Sequence, residues 1–165
     1  MMLNYTINSL LKWKDGTESP CIERLLWLDD ETTYVIDVNK NKVPYIRKLK
    51  DIEDVLAEGK AEIKEDDEFI VMLKEEDIPE KHKKIRDRAW EVIKDMADKE
   101  PYIFQSAFRG KLIKKASEIY GVSESWILEY LKRYWKRGKT RNALLPDYRN
   151  CGARGKEREA GDAKR

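Results

Sequence analysis

Ala116-Ser117-Glu118-Ile119-Tyr120-Gly121-Val122-Ser123-Glu124-Ser125-Trp126-Ile127-Leu128-Glu129-Tyr130-Leu131 decides the reading of this chain. Helical periodicity runs up to Tyr120 and resumes at Glu124, so the residues between them form a tight corner. Gly121 suits the left-handed residue that closes a helix, because a Cβ is penalised there. Val122 plugs the corner and Ser123 caps the next helix. Ala116, Tyr120, Val122, Ile127 and Tyr130 bracket the turn as the skeleton of a helix-turn-helix does, and Ser117 is small enough for the helices to cross closely. A plain three-helix bundle shares that skeleton, and charge separates the two.

The second helix of this unit spans about Ser106 to Tyr120, with Phe108, Leu112, Ile113, Ala116 and Ile119 expected inward. The third spans Glu124 to about Arg137, with Ile127, Tyr130, Leu131 and Tyr134 at i, i+3, i+4 and i+7. On a helical wheel the face opposite Ile127 holds Ser125, Glu129, Lys132 and Lys136, flanked by Trp126, Leu128 and Arg133. A recognition helix presents such a face to the major groove, its N-terminal part to bases and its C-terminal part to backbone. Six of the ten residues from Lys132 to Arg141 are basic (Lys132, Arg133, Lys136, Arg137, Lys139 and Arg141), with no acid between them. Such a cluster neutralises phosphates without reading sequence. On the second helix Arg109, Lys111 and Lys114 are expected on the backbone. Ser123, Glu124, Thr140 and Asn142 complete the candidate DNA-binding set.

Charge along the chain agrees. Residues 1–80 carry 11 basic and 20 acidic residues, and residues 81–165 carry 23 and 12, so the overall +2 conceals a −9 half and a +11 half. A basic half of that size faces a polyanion, and nucleic acid is the default.

Upstream, Glu75-Glu76-Asp77-Ile78-Pro79 starts a first helix carrying Ile85, Ala89, Trp90, Ile93, Met96 and Ala97 on one stripe, broken at Glu100-Pro101. Before it the pattern is strand-like. Glu23–Leu28 and Thr32–Val38 make a hairpin around Asp29-Asp30-Glu31, and Pro44–Lys48 is an edge strand. Asp51 to Glu58 is a short helix with Asp51 as its N-cap, ended by Gly59. The expected fold is α+β: a small mixed β module (residues 1–74), a three-helix helix-turn-helix module (75–148) and a flexible basic linker (149–165).

Tyr134-Trp135-Lys136-Arg137-Gly138-Lys139-Thr140-Arg141-Asn142-Ala143-Leu144-Leu145-Pro146-Asp147-Tyr148 closely resembles the segment after the recognition helix in TnsB transposases, Mu-like DDE subunits of heteromeric bacterial transposons. The likeness extends through the helix-turn-helix and, more loosely, to Leu11-Lys12-Trp13 and Glu23–Asp30. It implies sequence-specific binding of double-stranded DNA at transposon ends, in the bacterial cytoplasm and at the nucleoid when bound. The partners it implies are DNA and other transposition proteins, with no membrane and no small-molecule substrate. In that family catalysis belongs to a later RNase H-like domain that uses magnesium. This sequence stops at Arg165, so the chain alone is expected to need no cofactor and to cut no strand. It departs from the family in Glu124, Glu129 and Trp126, where basic or small polar residues are usual. A glutamate can accept from cytosine N4 but opposes phosphates. Trp126 is either a thymine-methyl contact or a packing residue. The alternative function is a protein–protein adaptor, or a regulatory fragment of a transposition complex, without base readout.

Other chemistry is set aside. Cys21 and Cys151 have no Cys or His partners at metal or disulfide spacing, and His82 is the single histidine. Glu65-Asp66-Asp67-Glu68 reads as a turn or solvated face, since no calcium-loop spacing accompanies it. Gly152–Lys156 lacks the spacing of a phosphate loop. Trp90 and Trp135 are expected in the core, and no apolar run is long enough to cross a bilayer.

Overall fold

The computed structural model describes residues 5–146, so the expected basic linker (149–165) lies outside the described residues. Five antiparallel strands, β1 (Leu10–Trp13), β2 (Ile22–Leu28), β3 (Thr32–Asp37), β4 (Tyr45–Lys48) and β5 (Ala61–Lys64), form one sheet in the order β4-β3-β2-β1-β5. Helix α1 (Leu49–Ala57) separates β4 from β5. The expected hairpin, edge strand and helix are all present. The α1 N-cap is Lys48, however, and Asp51 stands in the first turn instead. Strands β1 and β5 lie outside the strands expected from the sequence.

The second half contains α2 (Glu80–Ala97), α3 (Ser106–Tyr120) and α4 (Glu124–Lys136), with 3₁₀ turns at Glu75–Asp77, Tyr102–Phe104 and Arg141–Leu144. Pro79 precedes the first residue of α2. The expected inward stripes hold at Ala89, Ile93, Met96 and Ala97 of α2, Ile113 and Ala116 of α3, and Ile127 and Leu131 of α4, and differ at a few positions. On α2, Arg86 and Val92 are buried while Ile85 is exposed, and on α3 Ile119 is 65% exposed. On α4 the buried series is Ile127, Leu131, Lys132 and Trp135, which leaves Tyr130 and Tyr134 half-buried.

The sheet packs on both faces. Leu25 and Val35 join Leu11, Ile52 and Ala61 under α1. Leu26 and Ile36, on the other face, join Ile93, Phe104, Ile127, Leu131 and Trp135. A β-bulge between Leu25 and Trp27 re-aims β2 at this point. Across the junction Tyr34 meets Phe104 at 5.2 Å between ring centroids, and Phe104 meets Trp135 at 5.5 Å. Helix α4 is thus covered by helices on one side and by the sheet on the other, and the two sequence modules share one core.

Polar groups seal the same junction. The Arg24 side chain is fully buried on the helix-facing side of β2. Its Nε donates to the Lys136 carbonyl at 3.1 Å, and Nη1 donates to the Asn8 carbonyl at 2.9 Å. Its fork also grips Asp67, at 2.7 and 2.9 Å. Part of the Glu65–Glu68 acidic run is therefore a structural counter-ion.

Candidate nucleic-acid interface

The corner between α3 and α4 has the expected construction. Gly121 is left-handed (φ 69°) and its N–H donates to the Ser117 carbonyl at 2.9 Å. Ser117 Oγ donates to the Val122 carbonyl at 2.5 Å, which ties the end of α3 across the turn. Ser123 is the N-cap of α4 and accepts from the Trp126 N–H at 3.1 Å. The small residue at 117 contributes a bond as well as clearance.

Beyond this corner, Glu124, Ser125 and Glu129 are exposed along the N-terminal half of α4, where a base-reading element has to be open. Lys111 and Lys114 are exposed on α3, as is Lys115, which is outside the expected set. Trp126 is half-buried against the helical core and meets Tyr130 at 4.5 Å between ring centroids. Leu128 packs on the same core. Both flank the exposed stripe.

Several residues expected on phosphates have partners inside the protein. Arg109 is buried, and its Nη1 donates to the Ile103 and Phe104 carbonyls at 3.3 and 3.0 Å. Burial without a carboxylate partner lowers its pKa from the usual guanidinium value. Lys132 is buried too, its Nζ 2.8 Å from Asn41 Oδ1 and 3.3 Å from Glu129 Oε2. Lys139 stands at a left-handed φ of 63° and sends its Nζ to the Leu26 carbonyl and to Glu100, both at 2.8 Å. Thr140 caps the following 3₁₀ turn through the Ala143 N–H, and Asn142 Oδ1 accepts from the buried Arg86 at 2.8 Å. Arg109 ties the start of α3 to the turn before it, and the other four hold the chain around and after α4 in place.

The remaining cations are partly engaged. Arg133 Nη1 reaches the Leu145 carbonyl at 3.3 Å, Arg137 Nη1 reaches the Ala143 carbonyl at 3.5 Å, and Arg141 pairs with Asp87 at 3.0 Å. Lys136 is half-buried, and its amine pKa is lowered by burial and then by neighbouring Lys132. Much of the basic run is therefore tied to carbonyls and carboxylates of the protein itself. A density of charge does not reveal whether carbonyl groups wait for it in three dimensions.

Two further features escape a reading of the sequence. They are Arg88 on α2, which donates to the Tyr120 carbonyl at 3.1 Å beside the corner, and the lysines of the β3–β4 connection. Their signal in the sequence is one of charge alone, and nothing local ties either to α4.

Comparison with known proteins matches both halves to domains of one family. Residues 4–67 match the TnsB N-terminal SH3-like domain, and residues 86–148 match the TnsB second domain. A stretch of 57 residues is 40% identical to the transposon Tn7 transposition protein TnsB of Escherichia coli. That stretch is 34% of this chain and 8% of the length of the relative.

Proposed function

The chain belongs to the TnsB family and carries that family's first two domains in order; from this we propose that it binds double-stranded DNA at transposon ends. One observation supports the reading above the others. The α3–Gly121–α4 corner leaves Ser125 and Glu129 open on the N-terminal half of α4, with Lys111 and Lys114 open on α3. In this reading α4 enters the major groove, Ser125 and Glu129 face base edges, and Glu129 favours a cytosine N4 donor. Phosphates are met by Lys111, Lys114, Arg133, Lys136 and Arg141. The role is recognition, in the bacterial cytoplasm, with no strand cutting or joining assigned to these two domains. No helix among the described residues is long and apolar enough to cross a membrane.

Selection from a random duplex library, followed by salt titration of the winner, tests this. The expected result is an enriched motif whose log affinity falls with log salt at a slope of about −4, for four to five phosphate contacts. Salt-dependent binding without a motif would remove the base-reading role of α4.

A second reading, a protein–protein adaptor, rests on the apolar groove between α2 and α3, lined by Val92, Met96, Leu112 and Ala116, with exposed Ile119 at its rim. It predicts no duplex binding even at low salt.

A further inference from the structure

The β3–β4 connection, residues 38–44, belongs to the N-terminal module but lies against α4. Asn41 Oδ1 accepts from Lys132 Nζ at 2.8 Å. Ser125, Glu129, Lys132 and Lys136 follow one stripe of α4, at spacings of four, three and four residues. The stripe is open at Ser125 and Glu129, and the loop closes over it at Lys132. The loop therefore forms the rim of the α4 face that the proposed function turns to the groove.

It is held there at its start. Asp37 Oδ1 accepts from the Asn39 N–H at 2.9 Å, and Pro44 is buried where the loop re-enters the sheet. On either side of Asn41, Lys40 and Lys42 are exposed, and neither is in an ion pair among the described residues. In an N-terminal half with an excess of acids, two unpaired lysines stand where that half touches α4.

Resting on the DNA reading above, we propose that this loop is a second DNA-contacting element: Lys40 and Lys42 meet phosphates on the rim of the groove that α4 enters. Lysine ammonium groups recognise phosphate as point charges, so the contact adds affinity and register without base preference. The N-terminal module then takes part directly in binding the duplex.

The test compares the full chain with its K40A/K42A variant on a mixed-sequence B-form duplex and on the winner of the library selection. Two lost phosphate contacts should make the log–log salt slope shallower by about 1.8 and weaken both duplexes about 30-fold near 0.15 M salt. The K40R/K42R variant should keep the wild-type slope, and urea midpoints should agree across all three proteins. Neutral methylphosphonates along the groove rim repeat the test without altering the protein. The wild type should lose affinity at positions to which K40A/K42A is indifferent. A wild-type slope retained by K40A/K42A would overturn the loop assignment and leave the DNA reading standing. A different winning motif for K40A/K42A would overturn the phosphate role. Absence of salt-dependent duplex binding by the wild type would overturn the DNA reading itself, and the loop assignment with it.

Discussion

Arg24 and Asp67 show how much single residues carry at the junction. A buried guanidinium is tolerated because its donors find the Lys136 and Asn8 carbonyls and both oxygens of Asp67. Burial alone would raise the Asp67 carboxyl pKa, but hydrogen bonding to Arg24 and its charge outweigh this and hold it below the ordinary aspartate value. A carboxyl lowered on folding adds stability that is complete above its unfolded pKa of about 4 and fades as pH falls through the folded value. Asp67→Asn should therefore cost about 2–3 kcal/mol at neutral pH, because Arg24 is left buried without its counter-charge. In urea melts across the acid range the variant should lose less stability below pH ~4 than the wild type; parallel curves would show that the pair does not drive acid unfolding. The sequence holds four acids in a row and an arginine 43 residues before one of them. No local rule joins them, since only the fold brings the Glu65–Glu68 turn to β2.

At the scale of elements, α4 is legible at its start and misleading at its end. The corner follows local rules: a glycine for the left-handed residue, a serine for the cap and a small residue for close crossing. Ser123→Ala should cost about 1 kcal/mol, read as a lower urea midpoint with an unchanged m-value. The contrary result, an unaltered midpoint, would mean that water or a neighbour satisfies the Trp126 N–H. The C-terminal half obeys tertiary demands instead. Lys132 lies under the β3–β4 loop, Trp135 is fully buried, and the Lys136 carbonyl receives Arg24. Lys139 belongs to this set. Lys139→Ala should lower stability by about 1–2 kcal/mol, because the Leu26 carbonyl and Glu100 lose their partner. The predicted loss appears in denaturant melts; a loss of DNA affinity without one would restore the phosphate assignment.

For the molecule as a whole, the shared core decides how it unfolds. Leu26, Ile36, Phe104 and Trp135 belong to one cluster drawn from both modules, so neither half buries its apolar surface alone. Thermal unfolding followed by tryptophan fluorescence and by far-ultraviolet circular dichroism should give one coincident transition. A chain beginning at residue 75 should bind a hydrophobic dye and lose its sharp transition, because the cover over Trp135 is gone. Two resolved transitions in the full chain would show that the modules are independent.

Local sequence settles the helices, the β2–β3 hairpin and the α3–α4 corner. Periodicity, capping residues and turn chemistry act over a few residues, so they mark α1 to α4 and the β2–β3 hairpin within a few residues of their ends. The block after α4 also carries the family likeness. Packing, by contrast, settles which face of each element is buried, because a helix covered on two sides has two apolar stripes and no single direction to read as inward. It also settles the fate of the charges. A lysine or arginine in a basic run has the same local signal whether a phosphate or a backbone carbonyl awaits it, and only the packing of β2 and the β3–β4 loop on α4 gives Lys132 and Lys139 their internal partners.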